Sequence, residues 1–413
     1  MMQGLSPSVH LRTASRRVAF QARPGTSRRS VRSLTVTAAH KAMSPEVVDR
    51  VRGALFGIFI ADALSMPVHW YYDVGRLKRD FGNITTYQAP KDVHPGSIMS
   101  LSNTGGHGRG DQKGRIIGDV INHGKHEFWG KSNVHYHQGM KAGENTLNAL
   151  CARVVLRDIA ANGGSYSPAS FLQSYVKFMT TPGSHNDTYA ESFHRDFFKN
   201  WAAGVPPEEC VKGTEGHNTA QIGGFVMLPP VVFANMAGGR DAARKAALEH
   251  LALTHDSSKL AVFAGEYAGL LYDLATGATD LRTATVEAAK QIRTDLPSIA
   301  ERGYDDTSVI HGVFGSACYI TDSYPSMLYL AYKHADSFEG AVLANTNAGG
   351  ENCHRGAALG ALMGAALGEK AIPRGLLEGL ADYDAIKREV DAFCDAALGA
   401  DAPAAAGAAA GEL

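Results

Sequence analysis

The sequence predicts an all-α protein, a compact bundle of many helices in a single globular domain. Three observations predict it: apolar residues recur at helical spacing in one segment after another, alternating strand patterns are scarce, and Gly and Asn/Asp clusters separate the segments. No change of composition marks a linker between two domains. With 45% hydrophobic and 20% charged residues among 413, the chain can bury one large core or two smaller ones.

The helical domain is expected to run from Ser44 to Leu398. Ser44 can cap the first helix, Pro45 suits its first position, and apolar residues then follow at helical spacing as far as Ile58. Further helical patterns lie at Asn145–Ala161, Ala169–Met179, Ser257–Ala275, Thr283–Arg293, Pro325–His334 and Tyr383–Ala397. The apolar segment Ile222–Met236 contains two adjacent prolines, which predicts a kinked or broken helix.

The two ends of the chain differ from this domain. Residues 1–40 contain seven arginines and many serines but no acidic residue, which is typical of an organelle transit peptide. We expect import into the chloroplast, with the mitochondrion as the alternative; a basic arm that binds nucleic acid is a third interpretation. Residues 399–413 are rich in Ala and Gly and are predicted to be a disordered tail.

The overall charge limits the classes of partner. The net charge is −1 and the pI about 7.0, so no field over the whole chain favours nucleic acid or an acidic membrane. No run of 18 clean apolar residues predicts a membrane span. The five cysteines show no CxxC spacing, which argues against a disulfide framework. Nothing in the sequence fixes the oligomeric state.

A long irregular stretch separates the first helix from the next helical pattern. Between Gly82 and Met140 glycine is dense and six histidines occur. Its aromatic residues favour an ordered cap over a site. Two interpretations of the pair His135 and His137 stay open: a metal-binding pair, or ordinary surface residues.

Asp62 is a carboxylate on the apolar face of the first predicted helix. It lies four residues after Ile58 and near the end of that helix, where the dipole disfavours negative charge. A buried carboxylate needs a cation, a hydrogen-bond donor or a proton. Asp62 is therefore either a salt-bridge partner or cap for a neighbouring helix, or a polar group in an active-site cleft.

The same three-residue sequence occurs at two predicted helix starts. Residues 143–145 and 350–352 both read Gly-Glu-Asn. Helix starts have free N–H groups and a positive dipole end, so they attract acids and polar side chains. Polar residues surround the second copy from Asn345 to Arg355, which is more than one helix end requires.

The helix after the second copy carries a glycine every four residues, at positions 356, 360, 364 and 368. Glycine in a helix interior costs roughly 1 kcal/mol relative to alanine, so we expect another backbone to lie against this stripe. The helix should then be central, and its polar start should open into the middle of the bundle. Cys353 at that start is either a nucleophile beside His354 or a small packing residue.

These features together resemble a known family. The order and spacing of Val51–Trp70, Glu144–Leu156, Asn218–Pro230, Leu253–Ala264 and Asn345–Pro373 resemble the ADP-ribosylglycohydrolases, whose relatives include J1-type crystallins. The resemblance implies an all-α orthogonal bundle. It also implies cleavage of N- or O-glycosidic bonds at the anomeric carbon of ADP-ribose, usually with two Mg²⁺ ions.

The family's motifs are altered here. The first, Gly-Asp-Ala-x-Gly followed by Pro and Glu, keeps Asp62 and Pro67 but has His69 where the acid would be. The second, Thr-Asp-Asp-Thr, corresponds to residues 143–146, and the third, Gly-Gly-Asp-Thr-Asp-Thr, to residues 349–354. The family's metal positions thus fall on Gly143, Glu144, Asn145, Glu351, Cys353 and His354.

These replacements leave the metal content open. Mg²⁺ prefers hard oxygen ligands, whereas one family position is a glycine and another a thiol. The alternatives are the two-magnesium site, one divalent metal held by Glu144, Glu351 and Asp62, a zinc-like set of Glu351, Cys353 and His354, or no metal.

The resemblance implies a hydrolase that acts on an ADP-ribosyl or related N-/O-ribosyl bond of a small molecule or a protein. The candidate catalytic residues are Glu144, Glu351 and Asp62, with Glu144 or Glu351 activating water. The candidate substrate contacts are Asn145, Asn352, His354, His69 and Cys353. The alternative function is a non-catalytic nucleotide-binding or crystallin-like structural protein. The hydrolase interpretation requires the two predicted helix starts, at residues 143–145 and 350–352, to line the same pocket.

Overall fold

The computed structural model describes residues 42–97, 116–216 and 219–399. The predicted transit peptide, residues 1–40, lies outside this part of the chain, as does the predicted tail beyond residue 399. Both therefore stay predictions.

The described residues form one all-α domain, as the sequence predicts. Its sixteen α-helices are α1 (Pro45–Ser65), α2 (Val74–Phe81), α3 (Leu147–Ala161), α4 (Pro168–Thr180), α5 (Ser192–Ala202), α6 (Leu228–Ala234), α7 (Arg240–Leu251), α8 (Ser258–Thr276), α9 (Leu281–Gln291), α10 (Leu296–Glu301), α11 (Asp306–Val309), α12 (Ile320–Lys333), α13 (Phe338–Ala348), α14 (Asn352–Leu367), α15 (Arg374–Glu378) and α16 (Tyr383–Leu398). Within the described ranges, β pairing is limited to three isolated bridges.

Most predicted helices occur where the pattern places them. Ser44 Oγ accepts a hydrogen bond from Val47 N at the start of α1, as expected of a cap. The segment with two adjacent prolines is broken into a 3₁₀ turn, Ile222–Phe225, and the short helix α6. The largest difference in a helix boundary is at α12, which begins at Ile320, five residues before Pro325. A proline this close to a helix start removes only one early hydrogen bond.

The glycine stripe brings α14 against α1 at the centre of the fold. A Cβ atom added at Gly360 would collide with the backbone of Gly57, and one at Gly364 with that of Gly53. Two helices approach this closely only where both lack side chains, so the predicted backbone contact is confirmed. Every residue of α14 from Asn352 to Ala365 is buried. Its polar start is therefore held inside the protein.

The helix that includes α1 is long and apolar enough to cross a membrane by length and composition. It spans Pro45–Val68, and 94% of its most apolar window is buried within the fold. Such burial is that of a core helix. It is the one helix in the described part of the chain that meets these criteria.

Candidate active site

Two glycines direct the start of α14 into the core. Gly349 and Gly350 have φ of 67° and 65°, a left-handed conformation that other residues rarely adopt. The backbone of this turn bonds on both sides: Trp70 N donates to Gly350 O at 2.8 Å, and Glu351 N donates to Ser316 O at 2.9 Å. Glu351 then caps α14, accepting a bond from His354 N at 3.3 Å. Its side chain is fully buried.

Asp62 ties α1 to the start of α3. Its carboxylate accepts hydrogen bonds from Thr146 N at 2.8 Å, from Asn145 Nδ2 at 3.0 Å and from the Thr146 hydroxyl. Burial raises the pKa of Asp62, although the bonds from Thr146 and Asn145 act in the opposite direction. These contacts are those of a helix cap, the first of its two interpretations. Its catalytic and metal-binding roles stay predictions.

The structure places Glu144 apart from Glu351. Glu144 is half-buried, and its carboxylate accepts bonds from Lys141 N at 2.8 Å and Asn186 Nδ2 at 3.2 Å. It lines a surface cleft of about 410 Å³ together with Arg153 and Arg157. Among the described residues, the hydrogen bonds and ion pairs of Glu144 do not reach the Glu351 cluster. The repeated Gly-Glu-Asn sequence therefore does not place its two carboxylates in equivalent surroundings.

Glu351 instead meets a carboxylate that the sequence did not single out, Glu191. His354 Nδ1 lies 3.0 Å from Glu351 Oε1 and 3.4 Å from Glu191 Oε1. Glu191 directly precedes α5, and Asn148 Nδ2 donates to its other oxygen at 2.7 Å. Gly223 leaves the room for this side chain, because a Cβ there would collide with Glu191. These three titratable groups define the acid–base cluster: Glu191, Glu351 and His354.

A chain of two histidines links this cluster to the start of α3. His69 Nε2 lies 3.0 Å from Glu351 Oε1, and His69 Nδ1 lies 2.7 Å from His137 Nε2. His137 Nδ1 lies 2.7 Å from Asp187 Oδ1, and Leu147 N donates to Asp187 Oδ2 at 2.7 Å. The two helix starts thus connect, through His69, His137 and Asp187 and not through Glu144.

The histidine pair of the irregular stretch is buried. His135 is 0% and His137 1% exposed, so their interpretation as surface residues is wrong. His135 Nε2 bonds to the Pro67 carbonyl at 2.9 Å, and His135 Nδ1 accepts from His137 N at 3.0 Å. His135 therefore links the backbone of His137 to that of Pro67.

The environment moves the pKa values of the cluster apart. Burial raises the pKa of Glu191, and the charge of Glu351 adds to the rise. Burial also opposes ionisation of Glu351, but attraction to His354 and His69 outweighs it and holds the pKa well below its usual range. For His354 burial is likewise outweighed, by Glu191 and Glu351, and its pKa rises to about 10. At neutral pH the cluster holds an ionised Glu351, a charged His354 and a Glu191 that keeps a proton more readily than usual.

Within the described part of the chain, several buried polar atoms around the cluster have no hydrogen-bond partner. They are Glu351 Oε2, Glu191 Oε1 and Asn352 Oδ1, and His354 Nδ1 faces its two carboxylates without hydrogen-bond geometry. Buried polar groups in folded proteins are nearly always paired. Their concentration at one helix start indicates a place for water or a polar ligand.

A strained residue and aromatic rings wall the cluster on one side. Trp70 adopts φ of 60°, unusual for a bulky residue, and its ring stacks on His69 with centroids 3.8 Å apart. Tyr136 and Tyr189 pack edge-on against Trp70 at 4.5 Å and 4.7 Å. Such strain is held in place only where packing over-determines it, and it often accompanies functional sites.

Cys353 is fully buried beside Met66 and Met140. Its thiol lies 3.8 Å from the Asp62 carbonyl oxygen. Burial, reinforced by nearby carboxylates, raises the pKa of Cys353 well above its usual value. A neutral thiol is a poor nucleophile, so these surroundings favour the packing interpretation.

Two buried groups of side chains could hold a metal ion: His69 with His137 and Cys353, and His69 with Glu351 and His354. The ligand atoms of each group lie within 4.8 Å of one another. The two-magnesium site implied by the resemblance does not fit these residues. Gly143 has no side chain, Glu144 faces the surface cleft, and Cys353 offers a neutral sulfur to an ion that prefers oxygen.

Only weak sequence signals mark the site residues that were not predicted. Asp187 and Glu191 lie four residues apart just before α5, a spacing found at many helix starts. Their approach to Glu351 and His137 depends on how α5 packs, which no local pattern encodes. The spacing of His135 and His137 was visible, but it did not indicate burial.

Comparison with known proteins gives a consistent result. A family model described as ADP-ribosylglycohydrolase matches residues 43–405. A solved structure named ADP-ribosylglycohydrolase-related protein complex is similar over 85% of this chain and 99% of that chain, with a TM-score of 0.50 and 18% identity. At that identity the likeness shows the fold alone. No curated protein matches the chain.

Proposed function

The chain belongs to the ADP-ribosylglycohydrolase family, and we propose on this premise that it hydrolyses an ADP-ribosyl or related N- or O-ribosyl glycosidic bond. The substrate is a small molecule or a protein that carries the ribosyl group. The observation that carries the proposal is the pair Glu351 and Glu191, held beside one histidine with their pKa values displaced in opposite directions.

When water attacks a glycosidic carbon directly, one carboxylate accepts a proton from the water and one carboxylic acid gives a proton to the leaving atom. Groups whose environments push their pKa values apart divide these roles. Glu351, kept ionised, is the base, and its unpartnered Oε2 takes a proton from water as that water attacks the anomeric carbon. Glu191, which keeps its proton more readily, protonates the leaving atom as the glycosidic bond breaks.

His354 supports both carboxylates. Its charge offsets Glu351 and stands next to Glu191, whose nearer oxygen is also unpartnered. After the product leaves, Glu351 carries the proton taken from water, and Glu191 lacks the proton it gave to the leaving atom. His354 lies between them, and it resets the pair by taking a proton from Glu351 and giving one to Glu191. Asn352 Oδ1 is free to accept a bond from a sugar hydroxyl. Contacts from His69, Asn145 and Cys353 to the substrate remain part of the proposal.

No step of this reaction runs through the two magnesium ions, because the residues do not fit them. A single divalent ion at Glu144, Glu351 and Asp62 remains a prediction. Asp62 already accepts three hydrogen bonds, and Glu144 faces the cleft, so such a site requires both side chains to change partners.

One observation favours a second candidate function, a non-catalytic nucleotide-binding or crystallin-like protein. Glu351 is 0% and His354 2% exposed, so a substrate must displace neighbouring groups to reach them. A protein with a purely structural role can keep these side chains buried, whereas an enzyme must expose them to its substrate.

Turnover separates the two candidates. The purified full chain is incubated with ADP-ribosylated proteins and small-molecule ADP-ribosides, with Mg²⁺, with Zn²⁺ and with a chelator, and release of ADP-ribose is followed by chromatography. The hydrolase proposal expects release by the wild type and loss in Glu351→Gln. A rise in melting temperature with ADP-ribose, without release from any substrate, would support the second candidate and overturn the first.

A further inference from the structure

A row of buried polar side chains leads from α4 through α5 and α3 to Glu191. The Tyr175 hydroxyl lies 2.6 Å from His194 Nδ1, and His194 Nε2 lies 2.9 Å from Asn148 Oδ1. Asn148 Nδ2 donates to Glu191 Oε2 at 2.7 Å. All four side chains are at most 3% exposed, so bulk water does not compete for these three hydrogen bonds.

The direction of the first bond follows from the surroundings of Tyr175. Burial raises the pKa of the phenol well above its usual value, so the hydroxyl keeps its hydrogen. The ring is packed against Phe171, Phe197 and Phe198. Within the described ranges, His194 Nδ1 is the one hydrogen-bond partner of the hydroxyl. Because a buried hydroxyl hydrogen pointed at these rings would be unpaired, Tyr175 donates and His194 Nδ1 accepts.

The directions of the other two bonds follow from the first. Burial lowers the pKa of His194 well below its usual value, so its ring is neutral and carries a single hydrogen. Since Nδ1 accepts, that hydrogen is on Nε2 and is donated to Asn148 Oδ1. The two ends of an amide are not interchangeable, so Asn148 must present its Nδ2 hydrogens to Glu191.

This contact fixes the orientation of the Glu191 carboxyl group. Oε2 is held by Asn148, and the 3₁₀ turn at Gly223 closes the other side of the pair. A Cβ at Gly223 would collide with the Glu191 carboxyl group and would lie 3.0 Å from Asn148 Nδ2. The carboxyl group therefore has little room to rotate, and its other oxygen, Oε1, faces His354 at 3.4 Å.

We propose that Tyr175, His194 and Asn148 are positioning residues for Glu191, which keep Oε1 turned toward the place where the leaving atom is protonated. Each residue fixes the next: the phenol sets the tautomer of the imidazole, the imidazole sets the orientation of the amide, and the amide holds Oε2. As an account of catalysis the proposal rests on the proposed function. As a statement about the directions of three hydrogen bonds it does not.

Nuclear magnetic resonance of the full chain labelled with ¹⁵N-histidine tests these directions. Ring nitrogens that bear hydrogen are distinguished from bare ones by their shifts, and the signals of His194 are assigned by their loss in His194→Gln. We expect hydrogen on Nε2 and a bare Nδ1 at pH 6, 7 and 8. Hydrogen on Nδ1, alone or together with Nε2, would overturn the proposal.

Kinetics on two substrates tests the positioning role. A misplaced acid slows an alkyl riboside, whose leaving atom needs a proton, but not a nitrophenyl riboside, which leaves as a stable anion. His194→Leu removes the donor to Asn148, and we expect it to lose about 10–100-fold in kcat on the alkyl riboside, with KM within about twofold. On the nitrophenyl riboside its kcat should stay within about threefold of the wild type. The matched control, His194→Gln, keeps an N–H donor and should lose much less on the alkyl riboside.

Three results would count against the proposal or its premise. Equal losses of His194→Leu on the two substrates would refute the positioning role, and so would equal kcat values of the Leu and Gln variants on the alkyl riboside. If circular dichroism shows that His194→Leu does not fold, Tyr175→Phe, which deletes only the hydroxyl, must show the same selective loss. Wild-type inactivity on every ribosyl substrate would refute the proposed hydrolase, whereas the nuclear magnetic resonance result still decides the directions of the bonds.

Discussion

His354 is predicted to stabilise the folded protein in a pH-dependent way. Its pKa of about 10, against 6.5 for an ordinary histidine, corresponds to at most about 5 kcal/mol at roughly 1.4 kcal/mol per pH unit. Because the folded pKa is raised, this contribution is fully present below pH 6.5 and is lost as the pH rises toward 10.

His354→Gln removes the cation and leaves Glu351 and Glu191 buried beside a neutral amide. Breaking a buried ion pair by removing one partner costs about 3–5 kcal/mol. We therefore expect the variant to be less stable by that amount at pH 6. The deficit should shrink toward pH 10, where the wild type also loses the charge.

Urea unfolding followed by tryptophan fluorescence at five pH values from 6 to 10 measures this deficit. His250→Gln serves as the control, because burial lowers the pKa of His250 to about 3 and it stays neutral throughout. Its deficit should not change with pH. If the deficit of His354→Gln is also constant from pH 6 to 10, His354 is not a buried cation and the charge assignments of the cluster are wrong.

Three further predictions address the packing, the thiol and the N-terminal segment. Gly360→Ala should destabilise by about 1–3 kcal/mol, because its Cβ would meet the Gly57 backbone; Gly375→Ala, with no atom within 4 Å of its Cβ, should not lower the melting temperature. Cys353→Ala should keep its kcat within about threefold, because a neutral buried thiol is a poor nucleophile and the proposed proton transfers use Glu191 and Glu351; a complete loss with intact folding would favour covalent catalysis. Residues 1–40 fused to a fluorescent protein should direct it to chloroplasts in algal or plant cells; mitochondrial signal would support the alternative destination, and cytosolic signal would contradict both.

The sequence predicted those features that depend on local periodicity. The stripe of apolar residues along α1 and the glycines of α14 set the central helix pair, since each repeats at the spacing of one helical face. The burial of Glu351 at the start of α14 follows from the same stripe. Asp62 was correctly placed on a buried face, and its bonds to Thr146 and Asn145 also join the first and second family motifs.

The contrast between Glu144 and Glu351 shows what local sequence cannot specify. Both occur in Gly-Glu-Asn, but Glu351 is itself the cap of α14, whereas Thr146 caps α3 and Glu144 stands two residues earlier. A shift of two residues at a helix start turns one carboxylate into the core and the other toward the cleft. Glu191, Asp187 and His137 reach the site through long-range packing, and only the folded chain brings them there.

The central claim, that Glu191 is the acid and Glu351 the base, is tested most directly by the dependence of the rate on the leaving group. A leaving group that is stable as an anion needs no proton, whereas a poor one does. We expect Glu191→Gln to lose about 10²–10⁴-fold in kcat on an alkyl or amide riboside but to regain most of the wild-type rate on a nitrophenyl riboside. Glu351→Gln should be impaired on both. Equal losses of Glu191→Gln on the two substrates, or no loss on either, would contradict the assignment.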